Sequence, residues 1–170
     1  ALAEAEIEYK DSKATSIFVK FPVVEGNGVI TNDTSIVIWT TTPWTLPSNI
    51  ALCVNPEEDY AKVKAADGYT YYMAKALLDT VLSSRLANEE NGNKAYEILE
   101  TYKGKDLEYK EYEPLYACAG EAAAKQKKKA HFVTCDTYVT MSDGTGIVHI
   151  APAFGEDDSR IGRNYDLPFC

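Results

Sequence analysis

Three consecutive threonines, Thr40, Thr41 and Thr42, end a short apolar run and lead into Pro43-Trp44. Pro43 biases Thr42 toward extended backbone and cannot continue a strand ladder. A strand that stops there leaves hydroxyls and unpaired amides at its tip, a plausible cradle for a ribose or carbonyl oxygen. The plain alternative is a strand end with its hydroxyls in water, because threonine is common in strands, and chemistry alone leans slightly that way. His149 lies in a second apolar run on the same face as Ile147 and Ala151. A histidine in that setting is more often a satisfied core residue than a catalyst, although its ring could limit the size of an apolar ligand. No cysteine, serine or carboxylate stands at a spacing that would make a nucleophilic triad with it. Asp158 closes the run Glu156-Asp157-Asp158. It is either an acid in the first turn of a helix, worth about 0.3–1 kcal/mol, or a carboxylate that grips an ammonium group. Asn49, after Leu46-Pro47-Ser48, reads as turn chemistry, and Trp39 and Trp44 as core or sheet surface.

These residues need strands to hold them, and the sequence supplies several. Ser16–Phe21 alternates loosely and predicts a strand that Pro22 and Gly26-Asn27-Gly28 break. Ser35–Trp39 and Ala51–Val54 are short apolar runs suited to buried strands. Tyr60–Ala65 and Tyr69–Met73 flank Asp67-Gly68, a strong hairpin signal. Ala74, Leu77, Leu78, Val81 and Leu82 fall on one helical face, which a polar loop at Asn88–Asn93 ends. Tyr96–Thr101, His131–Cys135, Thr137–Met141 and Thr145–Ala151 predict further strands, with a turn at Gly104 and another at Ser142-Asp143-Gly144. Glu156–Arg163 predicts a helix, and 103–128 has no clear pattern. The expected fold is α+β, mainly β and β-barrel-like, in one domain over 1–170.

The composition is ordinary for a globular domain, with 45% apolar and 25% charged residues. No apolar run reaches the ~18–20 residues of a membrane span, and no basic-then-apolar leader supports export. The chain opens on Ala1 and reads as a piece of a longer protein. Cys53, Cys118, Cys135 and Cys170 are widely spaced, which argues against metal-ligand spacing or a disulfide framework and favours reduced thiols in a cytoplasmic setting. Twenty-six acids against 17 bases give a net charge of −9. Affinity for nucleic acid comes mainly from cationic contacts to phosphate, so this chain alone is expected to hold RNA weakly. The basic run Lys125-Gln126-Lys127-Lys128-Lys129 reads as a solvated face.

The runs Thr40-Thr41-Thr42-Pro43-Trp44-Thr45-Leu46-Pro47 and Gly144-Thr145-Gly146-Ile147-Val148-His149 resemble the editing domain inserted in isoleucyl-tRNA synthetases. Glu8-Tyr9-Lys10-Asp11 and Phe18–Pro22 fit the same family. The sibling valyl and leucyl enzymes usually carry Thr-Thr-Arg-Pro in the first motif and a Pro-Ala-His run in the second. Here Thr42 takes the arginine place, and Pro152-Ala153 is followed by Phe154.

The resemblance implies a β-barrel proofreading domain that deacylates Val-tRNA(Ile) while excluding isoleucine, and it leaves hydrolysis of valyl-adenylate open as a second activity. It implies Thr41, Thr42 and Asp158 as catalytic residues, the threonines holding the terminal adenosine and ester and Asp158 the α-ammonium group. Thr40, Trp44, Asn49 and His149 would bind substrate, with His149 making the pocket too tight for isoleucine. One methylene is worth only about 1–3 kcal/mol in an apolar pocket, and isoleucine against valine is this family's own well-known case. The implied partners are the 3′ end of tRNA(Ile) and the rest of the synthetase, with no membrane and a monomeric state. No metal or other cofactor is expected for editing, ATP and magnesium belonging to the synthetic site of the full-length enzymes. The alternatives are a module that binds the tRNA end without turnover, a purely structural insertion, and a valyl- or leucyl-type editing domain.

Overall fold

The computed structural model describes residues 5–9, 15–24, 30–83, 96–116, 118–142 and 144–168. Among these residues nine strands run β1 (Ala5–Tyr9), β2 (Thr15–Val24), β3 (Ile30–Thr40), β4 (Ala51–Val54), β5 (Asp59–Ala65), β6 (Thr70–Ala74), β7 (Tyr96–Lys103), β8 (Val133–Cys135) and β9 (Ile147–Ile150). Among the described residues two α-helices join them, α1 (Cys118–Gln126) and α2 (Glu156–Asn164). A mixed six-stranded sheet has the order β1-β2-β3-β6-β5-β7, and a three-stranded sheet the order β8-β4-β9. The class is α+β, mainly β, as expected, and the two described sheets do not close into a single barrel.

β4 explains how the sheets share a core. All four of its residues are buried. Leu52 and Val54 face the cluster made with β2, β3, β5 and β6, while Ala51 and Cys53 face Ile150, Phe132 and Ile161 of α2. The period-2 alternation of a strand puts successive side chains into two different cores. Burial lifts the Cys53 thiol to about 12 and the Cys135 thiol to about 11, so both remain protonated.

Several expectations need correcting. Pro22 does not end β2; the strand continues to Val24 through a register shift between Pro22 and Val23, where a missing N–H is tolerated. The apolar face 74–82 is not one α-helix. Ala74 closes β6, and a 3-10 turn (Lys75–Leu77) and a π-turn (Asp79–Ser83) follow, with Leu77, Leu78, Val81 and Leu82 buried. Residues 137–141 are loop rather than strand. Asp136 accepts the Tyr138 N–H at 2.9 Å, and the Asn55 amide donates to the Val139 carbonyl at 3.0 Å, so side chains satisfy backbone groups that a ladder would use. The patternless 103–128 contains a 3-10 turn at Gly104–Leu107 and α1. The Asp67-Gly68 hairpin and the helix from Glu156 are as expected. Gly26-Asn27-Gly28, Lys10-Asp11, Asn88–Asn93, Asp143 and Cys170 lie outside the described residues.

Candidate active site

β3 carries the apolar run up to Thr40, and a 3-10 turn over Pro43–Ser48 then bends the chain. The buried Thr40 hydroxyl accepts the Thr42 N–H at 3.1 Å and lies 3.3 Å from the Thr42 hydroxyl. Thr40 therefore shapes the tip, and Thr41 and Thr42 are exposed on it. In the turn, Thr45 and Leu46 point inward and are buried, which leaves Trp44 outside with 71% of its surface exposed.

The Gly144-Thr145-Gly146 run brings the second motif to this tip. The Thr145 hydroxyl donates to the Val37 carbonyl of β3 at 2.7 Å, and the Ala74 N–H of β6 donates to the Thr145 carbonyl at 2.8 Å. Gly146 has φ +75°, and a Cβ there would stand 2.5 Å from that of Ala74, so only glycine fits the crossing. β9 then pairs with β4, placing His149 opposite Leu52.

The result is a cleft of roughly 450 Å³ lined by Trp39, Thr40–Thr42, Thr45, Tyr138–Thr140, Gly144–His149, Phe154, Gly155 and Asp158. Five of the seven residues singled out in the sequence meet there: Thr40, Thr41, Thr42, His149 and Asp158. Trp44 and Asn49 are not among its lining residues. Trp44 is turned out by the 3-10 geometry, and Asn49 is buried behind His149. Trp39, Thr45, Tyr138 and Phe154 line the cleft without having been assigned to it. For Thr45 a signal existed, its spacing of three from Thr42, one turn of a 3-10 helix. Nothing local marks Tyr138.

His149 is held from both sides. The Ala51 carbonyl can only accept, so at 2.9 Å it faces the Asn49 amide nitrogen, which also lies 3.0 Å from His149 Nδ1. Nδ1 is thereby the acceptor, and Nε2 carries the proton toward the Thr45 hydroxyl at 2.7 Å. Thr45 donates onward to the Thr42 carbonyl at 2.9 Å. Burial pulls the ring down to about 4, so it is neutral near pH 7. With both nitrogens occupied, what the ring can offer the cleft is its carbon edge: a wall, not a base.

The three acids of α2 separate by environment. Asp157 pairs with Arg160 at 2.6 Å, and Arg160 reaches back to Asp136 at 3.2 Å. Asp158 is half-buried, accepts the Ala151 N–H at 2.9 Å, and has its carboxyl pushed up by burial. It sits on the cleft wall with Thr41 and Thr42, the one carboxylate among the described lining residues and suited to an ammonium group. Among the described residues, no group of three or more His, Cys, Asp or Glu could hold a metal ion. The basic run is dispersed: Lys128 pairs with Asp166 and Lys129 with Glu111.

Isoleucine–tRNA ligases match this chain closely. That of Lactobacillus acidophilus is 50% identical over 169 residues, and that of Geobacillus thermodenitrificans 46% over 169, covering 98% and 99% of the chain. The chain belongs to the isoleucyl-tRNA synthetase family. It spans about 16% of the length of these family members. No family model matches it. The structure resembles GlLeuRS-CP1 (TM-score 0.64, 14% identity, 89% of this chain and 64% of that one). It also resembles the editing domain of P. knowlesi cytosolic leucyl-tRNA synthetase (TM-score 0.62, 16% identity, 98% and 66%). The synthetase segment therefore has the fold of an editing domain, and its cleft joins the two motifs by which the family was recognised in the sequence.

Proposed function

We propose that the cleft is a hydrolytic proofreading site that removes valine from Val-tRNA(Ile), and acts on valyl-adenylate where that is presented, while excluding isoleucine. The observation that carries this reading is the convergence of Thr40–Thr42 with His149 and Asp158, more than 100 residues away in the chain, on one cleft wall and floor. A structural insertion has no need of that convergence.

Thr41 and Thr42 hold the terminal ribose and the ester, with Thr40 fixing the conformation of Thr42 from beneath. Asp158 binds the α-ammonium group, which orients the ester carbonyl toward the threonine tip. The neutral carbon edge of His149 bounds the side-chain space and leaves no room for the extra methylene of isoleucine. An oriented water attacks the ester carbon, its proton passing by way of a ribose hydroxyl to the departing ribose oxygen, and valine and uncharged tRNA leave. Asp158 acts as an anchor, not as general base. The reaction needs no cofactor, and ATP and magnesium serve the synthetic site of the longer enzymes. The chain works as a monomer in the cytoplasm, and the rest of the synthetase supplies most of the tRNA contact.

The test is an NMR titration with two non-hydrolysable mimics of the charged terminal adenosine, one valyl and one isoleucyl. The valyl mimic is expected to shift Thr41, Thr42, His149 and Asp158, and the isoleucyl mimic to leave them unmoved. Equal binding of both would remove the discrimination from this cleft. Binding without turnover of Val-tRNA(Ile) in the complete synthetase would make it a binding module.

A further inference from the structure

The hydrogen bonds behind the cleft extend one residue further than His149, to Tyr112. This tyrosine lies in the stretch 103–128, which has no clear pattern along the chain, and it is buried with 2% of its surface exposed. Its place is fixed on both sides. The Val24 N–H donates to the Glu111 carbonyl and the Glu113 N–H to the Pro22 carbonyl, at 3.0 and 2.7 Å, tying the segment to the end of β2. The Tyr112 N–H donates to the His131 carbonyl at 3.2 Å, tying it to the approach to β8. The Phe21 and His131 rings meet the Tyr112 ring edge-on at 5.0 and 5.7 Å.

So held, Tyr112 donates its hydroxyl proton to Asn49 Oδ1 at 2.5 Å. The Ala51 carbonyl, which can only accept, orients the Asn49 amide with its nitrogen toward Ala51 and His149, and the Tyr112 hydroxyl, able to donate or accept, stabilises that orientation by donating to the oxygen that faces it. Every proton in the series then points one way, from Tyr112 to Asn49, Asn49 to His149 Nδ1, His149 Nε2 to Thr45, and Thr45 to the Thr42 carbonyl. Reversing the amide would set Asn49 Oδ1 against the Ala51 carbonyl and require His149 to carry its proton on Nδ1. Thr45 would then donate its hydroxyl proton to Nε2, leaving the Thr42 carbonyl with only the Thr45 N–H at 3.1 Å and weakening the hold on the threonine tip.

We propose that Tyr112 is a positioning residue which, through Asn49, holds His149 in its Nε2–H form and thereby fixes both the ring that bounds the cleft and the turn that presents Thr42. The tautomer does not depend on the editing reading; the effect on valine-over-isoleucine selectivity rests on it.

The test is nitrogen-15 NMR of the histidine-labelled chain at neutral pH, which distinguishes a protonated ring nitrogen from a bare one. The native chain is expected to show His149 wholly in the Nε2–H form, and an Nδ1–H form there overturns the proposal. Tyr112→Phe keeps the ring and removes the donor. It is expected to bring in the Nδ1–H form and to lower the preference for the valyl over the isoleucyl mimic about fivefold, the effect of one lost hydrogen bond. Phe21→Leu disturbs the same packing but leaves the hydroxyl, and is expected to keep the native tautomer. An unchanged tautomer in Tyr112→Phe, or an equal change in Phe21→Leu, overturns the role of the hydroxyl. If the mimics do not bind the native chain while the tautomer responds as stated, the editing reading fails and the positioning role stands.

Discussion

Asp158 and His149 are both part-hidden titratable groups, and burial pushes them in opposite directions. For His149 the value is about 4 in the folded protein against 6.5 for a free ring. The unfolded chain therefore takes up a proton first as the pH falls, and stability declines between about pH 6.5 and 4, by up to about 3 kcal/mol. His131, pulled down by burial as well, adds in the same sense. Asp158, pushed up, binds its proton first in the folded state and offsets part of the loss at the acid end. Urea melts across this range, with the His149 ring followed by NMR, check the sign; a ring titrating near 6.5 would show it to be solvated. Asp158→Ala is expected to abolish deacylation while lowering stability by only about 1 kcal/mol, the effect of one cap-like hydrogen bond. Full activity in that variant would show that the ammonium group is held elsewhere.

The site depends most on how β9 enters its sheet. Tyr60 of β5 donates to the Gly146 carbonyl at 2.6 Å and accepts the Asn55 N–H at 2.8 Å, a buried hydroxyl satisfied from two loops. Tyr60→Phe leaves both backbone groups without that partner and is expected to cost about 1–3 kcal/mol by chemical denaturation. Gly146→Ala adds a Cβ in the left-handed region and against Ala74 and Met141, at an expected cost of about 2–4 kcal/mol. It should also weaken binding of the valyl mimic, because β9 must shift away from the threonine tip. Native-like stability with native binding would mean the crossing is looser than these distances imply. At this scale the sequence was legible wherever period and turn chemistry agreed. Ala51–Val54, Asp67-Gly68 and Glu156 are where their patterns put them. Thr137–Met141 was not, because its alternation is overridden by side chains of Asn55 and Asp136 that are distant or local competitors for its backbone.

Across the whole molecule, acids outnumber bases, and two of the four lysines in the basic run are paired with acids. Binding of uncharged tRNA by the chain alone is expected to be weak, with fluorescence anisotropy giving little more affinity than for an unrelated RNA and only a shallow salt dependence. A steep salt dependence would reveal a cationic surface that the charge pattern does not suggest. Among the described residues no helix is long and apolar enough to cross a membrane. The sequence by itself determined the class, the family and five residues of the cleft, because strand period, turn residues and the threonine and Gly144–His149 motifs are local and survive without a fold. Only the tertiary structure decided that Trp44 faces outward, that Asn49 supports His149 from behind, and that Tyr112, Tyr138 and Phe154 belong in or beneath the site. Those facts depend on which strand lies beside which and on which groups are left to satisfy a buried polar atom. No spacing along the chain encodes either.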